Sequence, residues 1–75
     1  MNSLIDTYIV STKNWQCRIE VESTTQKLTK SEPSLIKFVG RELSILRGWL
    51  YKITKDDGVG YKIVEQRRLP LEEEF

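Results

Sequence analysis

The stretch Trp15-Gln16-Cys17-Arg18-Ile19-Glu20-Val21-Glu22 alternates apolar and polar side chains without a break. Trp15, Cys17, Ile19 and Val21 fall on one face; Gln16, Arg18, Glu20 and Glu22 fall on the other. A period of two is that of a strand in a sheet with one dry face and one wet face. Upstream, Leu4-Ile-Asp-Thr-Tyr-Ile-Val-Ser-Thr12 is rich in β-branched and aromatic residues and reads as a second strand. Lys13-Asn14 between them suits a hairpin turn, because Asn14 tolerates a positive φ.

Downstream the pattern changes. Residues 23–32 are polar and aperiodic and read as a loop. Ser31, with Glu32 and Pro33 behind it, signals a helix start, since acids and proline favour a first turn. Leu35, Val39, Leu43 and Leu46 then recur at spacings of four, four and three, one apolar helical stripe flanked by Ile36, Phe38 and Ile45. Gly40 falls inside this helix, at a cost of roughly 1 kcal/mol against alanine. Gly48 reads as the helix stop. After it Trp49, Tyr51 and Ile53 alternate with Leu50, Lys52 and Thr54, which predicts a third strand. Lys55-Asp56-Asp57-Gly58 reads as a hairpin turn, and Val59 to Gln66 as the returning strand, closed by Leu69-Pro70-Leu71.

The expected fold is therefore α+β: a single small domain over residues 1–71, ordered strand-strand-helix-strand-strand, with one helix packed on an antiparallel sheet and an acidic C-terminal tail at 72–75. Seventy-five residues exclude a two-domain or dinucleotide-binding architecture. A core of this size supplies only about 3–5 kcal/mol, so self-association or a partner would relieve its marginality.

The residue inventory narrows the chemistry. The chain has no histidine, the commonest general base and metal ligand, and a single cysteine, Cys17. One cysteine forms no internal disulfide, and without histidine it builds no zinc site and has no activating base. Cys17 shares the inward parity, which predicts a buried, inert thiol. No signal peptide, apolar span or lipidation motif is readable, so the expected address is cytoplasmic and no membrane contact is expected. Gly58-Val59-Gly60 lacks the Lys-Ser/Thr ending of a phosphate loop and precedes a strand, so turn geometry explains it. Glu20/Glu22 and Asp56-Asp57 read as a solvated strand and a turn rather than a cation site. No catalytic constellation, cofactor, metal site or small-molecule substrate is expected.

Charge and aromatics remain. Lysines and arginines number 12 and acids 11, net +1, yet residues 11–55 carry nine basic against four acidic side chains. Within the expected helix, Lys37 and Arg41 stand four apart, opposite the leucine stripe, on a face that suits phosphate or an acidic partner. Trp15, Tyr51 and Tyr61 share the inward parity and are expected to fill the core, while Ile9, Leu50 and Val64 share the other parity and would lie on an uncovered sheet face. The resulting expectation is a small non-enzymatic protein-interaction module with a regulatory, adaptor or inhibitory role, engaging a protein partner or a second copy. The alternative is weak RNA or single-stranded DNA binding through a basic helix face and sheet aromatics. A third reading is a subunit that adds surface but no chemistry to an enzyme. The contact candidates are Arg18, Lys37, Arg41, Lys52, Lys62 and Val64.

Overall fold

A computed structural model describes residues 4–70 of the chain, with side chains through residue 66. The expected tail at 72–75 lies outside them. The α+β class holds: one α-helix packs on a four-stranded antiparallel sheet. The strands are β1 (Leu4–Ser11), β2 (Gln16–Glu22), β3 (Leu28–Ser31) and β4 (Lys62–Pro70), and the helix is α1 (Leu43–Thr54). The spatial order is β3-β2-β1-β4, so the chain runs strand-strand-strand-helix-strand, which corrects the expected element order.

The first hairpin forms where the alternation placed it. Ser11 pairs with Gln16 and Val10 with Cys17. Thr12 closes the turn: its N–H donates to the Trp15 carbonyl at 2.9 Å, and its Oγ1 accepts from Asn14 and Trp15 N–H at 3.2 and 3.3 Å. Cys17, Ile19 and Val21 are buried, with Trp15 and Tyr8 packed beside them.

A second hairpin replaces the expected loop at 23–32. Its turn carries no glycine; Gln26 takes the left-handed conformation instead, at φ 61°. The Glu22 carboxylate holds the turn by accepting from Thr25 N–H at 2.8 Å and Thr25 Oγ1 at 2.9 Å. Leu28 is the one buried residue of the short third strand.

The expected single helix is two segments. Pro33–Phe38 is a 3-10 helix, irregular at Leu35, and α1 begins only at Leu43. Between them Gly40 adopts φ 89°, a conformation that side chains with a Cβ rarely take. Gly40 N–H donates to the Leu28 carbonyl at 2.8 Å, and Leu28 N–H donates to the Arg41 carbonyl at 2.9 Å, so the reversal is stitched to β3. The helix then runs straight through Gly48 and takes in residues 49–54, the expected third strand.

Its buried positions, Leu43, Leu46, Leu50 and Thr54, step by three, four and four and close over Val10, Cys17, Ile19 and Val21 together with Leu35 and Phe38. Leu50 is therefore core, not an outer sheet residue, and Val39 is exposed rather than part of the stripe. Each fully buried leucine contributes about 1.5–3 kcal/mol. The helix ends in a loop in which Asp57 N–H reaches the Thr54 carbonyl at 3.2 Å, so Lys55-Asp56-Asp57-Gly58 is a helix-to-strand connection, not a hairpin turn.

Two pairs of substitutions test this arrangement. Ile19→Asp and Leu43→Asp should each leave the chain without a cooperative thermal transition, because each buries an unpaired charge costing more than about 4 kcal/mol in a small core. Gly48→Ala should raise stability by about 1 kcal/mol, or roughly 4–8 °C in Tm, since Gly48 is mid-helix with open space where a Cβ would go. Gly40→Ala should lower it by about 1–2 kcal/mol because of the positive φ. Equal effects at the two glycines would contradict the helix boundary.

Candidate functional site

The six contact candidates do not form one site: Arg18 and Val64 flank Ile9 in a single outer-face row, with Lys62 next along that face, while Lys37, Arg41 and Lys52 lie apart on other segments. Arg18 projects from the outer face of β2, where its backbone N–H donates to Glu32 Oε1 at 2.9 Å. It lines an open cleft of about 210 Å³ with Glu20, Lys30, Ser31 and Glu32. Lys37 lies in the 3-10 helix and Arg41 beyond the Gly40 reversal, so they do not share a helix face. Lys52 is in the last turn of α1, and Lys62 opens β4 opposite Ser11. Val64 lies on the outer sheet face beside Ile9 and is 55% exposed.

That outer face offers less apolar surface than the sequence suggests. Ile5 and Thr7 on it are buried, so among the residues with described side chains Val64 and the half-buried Ile9 are its accessible apolar part. The aromatics are elsewhere. Tyr8, Trp15 and Tyr61 pack against the core cluster. Tyr51, expected inward, is 63% exposed on the helix, beside an open depression of about 400 Å³ shared with Lys55, Val59 and Tyr61.

A second stripe on α1 was not among the candidates. Ile45, Trp49 and Ile53 recur at intervals of four, a row that drifts only about 40° per step around a helix. Ile45 is 45% and Ile53 47% exposed, with the half-buried Trp49 between them. Trp49 is held on its inner side. Its ring lies 5.1 Å from the Phe38 ring at 55°, and Lys37 Nζ sits 4.5 Å above it. A tilted aromatic pair adds about 0.5–1.5 kcal/mol beyond its buried area, and an exposed cation–π contact about 0.5–1 kcal/mol. The result is a rigid tryptophan bracketed by two exposed isoleucines and capped by one cation. The spacing of 45, 49 and 53 was legible in the sequence, but placing 49–54 in a strand hid it.

Cys17 is buried, with Sγ 3.6 Å from Ser31 Oγ. At the exit of α1, Asp57 Oδ1 accepts from Val59 N–H at 2.8 Å and Gly60 N–H at 2.9 Å, while Gly58 and Gly60 supply φ 79° and 78°. The Gly60 and Val59 N–H groups, helped by the positive charge of Lys13, hold the Asp57 carboxyl below the ordinary aspartate range against a smaller opposing effect of burial. A carboxylate with a depressed folded pKa stabilises above its unfolded pKa, and that stabilisation is lost as pH falls through the folded value. Melting temperature should therefore fall on acidification in part through this loop. Asp57→Ala should lower Tm at neutral pH and flatten the acid limb. An Asp57→Ala variant with the wild-type acid profile would show that the loop bonds do not matter.

Among the described residues no helix is long and apolar enough to cross a membrane. Compared with protein-family models, with curated proteins and with solved structures, the chain matches none, and the outer stripe of α1 stands as its candidate site on geometry alone.

Proposed function

We propose that this chain is a small non-enzymatic module that binds another protein through the outer stripe of α1, in a regulatory, adaptor or inhibitory role. The observation that carries the reading is Trp49, anchored on Phe38 and flanked by the exposed Ile45 and Ile53. Binding energy at protein interfaces concentrates in a few aromatic anchors ringed by apolar contacts, and a preordered tryptophan loses little rotamer freedom on docking. An apolar helix stripe is the shape that fills a groove on a partner. The histidine-free composition supports a binding role over a catalytic one, and the single buried cysteine supports a reducing, cytoplasmic setting.

Nucleic-acid binding retains one supporting contact, Lys37 over Trp49. The two readings separate by salt and by substitution, because phosphate contacts weaken steeply with salt and apolar burial does not. In affinity capture from source lysate with nuclease, the wild type should retain a partner in high salt. The double variant Ile45→Glu/Ile53→Glu should lose it, with the fold intact, since changes at exposed positions stay within about 0.5 kcal/mol each. Capture abolished by nuclease, or by Lys37→Glu/Arg41→Glu while Ile45→Glu/Ile53→Glu still binds, would contradict the protein-binding reading.

A further inference from the structure

The two edges of the sheet are not alike. β3 is four residues long, and the reversal at Gly40–Arg41 occupies its outer side through both backbone groups of Leu28. Lys27 bridges to Glu42 just before it. β4 is the longest strand, nine residues, and among the described residues no strand pairs with its outer edge. An unprotected edge presents a row of free N–H and C=O groups that templates another strand.

The sequence of β4 says which strand fits. Pairing with β1 shifts register opposite Thr7/Tyr8, where Gln66 is the extra residue. The regular part of the edge is therefore Lys62-Ile63-Val64-Glu65, in which Ile63 packs on the core and Val64 faces outward. Two copies of this run can pair antiparallel about a two-fold axis only with a residue facing its own copy. Centred on Glu65, two carboxylates would stand opposite each other, which is unfavourable. Centred on Ile63, Lys62 would lie against the partner's Val64. Centred on Val64, Val64 meets the partner's Val64, Ile63 meets the partner's Glu65, and Lys62 meets the partner's Gln66, so no like charges face. Because Ile9 is the neighbour of Val64 on β1, this register alone extends an apolar row across the outer face of both sheets: Ile9, Val64, the partner's Val64, the partner's Ile9; centring on Ile63 joins Val10 and Ile63 rows on the inner face but leaves each Val64 beside a lysine.

We propose that β4 pairs with β4 of a second copy in this register, joining two four-stranded sheets into one sheet of eight around an axis at Val64. The proposal is independent of the α1 stripe, which lies on the helix and stays free for another partner. It also answers the marginality of so small a core, since Val64, the most exposed apolar side chain of the outer face among the described residues, gains a neighbour.

The test is mass by light scattering from micromolar to millimolar concentration, combined with cross-linking. The wild type should pass from monomer to dimer. Val64→Lys, which sets two ammonium groups against each other at the axis, should stay monomeric, with a melt that matches the wild type's at micromolar concentration and does not rise with concentration as the wild type's does, whereas Ile53→Glu should dimerise as the wild type does. Val64→Cys should form a covalent dimer with a short bifunctional thiol reagent, because native Cys17 is buried and directly opposed Cβ atoms stand about 4.5–5.5 Å apart. Thr29→Cys, on the opposite edge, should not. A wild type that stays monomeric throughout, a Val64→Lys variant that dimerises normally, a dimer lost only in Ile53→Glu, or a Val64→Cys variant that cross-links no faster than Thr29→Cys would each overturn the proposal.

Discussion

The chain reversal at Gly40 decides the rest of the structure. Its φ of 89° and its two bonds to Leu28 turn the backbone away from the 3-10 helix and deliver Glu42 to the helix start. Leu43 N–H then reaches the Gln26 carbonyl at 2.7 Å, fixing the first helical residue against the second hairpin. Once Leu43 is placed, helical geometry sends Leu46, Leu50 and Thr54 inward. Ile45, Trp49 and Ile53 follow on an adjoining strip, which a helix lying on one face of a sheet leaves turned away from it. The same two bonds occupy the outer edge of β3, so one local reversal sets both the helix phase and which sheet edge is left open.

How much of this could be read from residues alone varies with the strength of the local pattern. The Trp15–Glu22 alternation placed the first hairpin and the dry face of the sheet, because a period of two has no helical equivalent over that length. Trp49-Leu-Tyr-Lys-Ile-Thr54 was misread, because six residues with apolar side chains at 49, 50, 51 and 53 satisfy both periods. Only continuity with Leu43 and Leu46 breaks the tie. The two glycines exchanged roles for the same reason. Composition does not distinguish a helix-breaking glycine from a tolerated one, whereas the backbone does: Gly40 has a positive φ, Gly48 does not, and both have room for a Cβ. The third strand was missed because its turn uses Gln26 in place of glycine or asparagine, and only Leu28 of its residues is apolar and buried.

The site followed the fold. Lys37 and Arg41 form one cationic face only if they share a helix; the reversal between them sends Lys37 to Trp49 and gives Arg41 a backbone role in the β3 edge. What stands in place of a basic strip is an apolar one whose central tryptophan belongs half to the core. Recognition and stability are therefore coupled at Trp49: the contacts that orient its ring are the ones that pack Phe38 over the sheet. Arg18, Lys62 and Val64, with Ile9 between Arg18 and Val64, kept the face their parity implied.

The binding surface on α1 depends on residues 49–54 being helical, and backbone chemical shifts with sequential amide contacts measure that directly. An unbroken helical signature from Leu43 to Thr54, with Gly48 in its interior and no contacts between residues 49–54 and 61–66 across a ladder, is the predicted result. Extended shifts beginning at Trp49, with cross-strand contacts to β4, would contradict the helix phase and the exposed stripe with it.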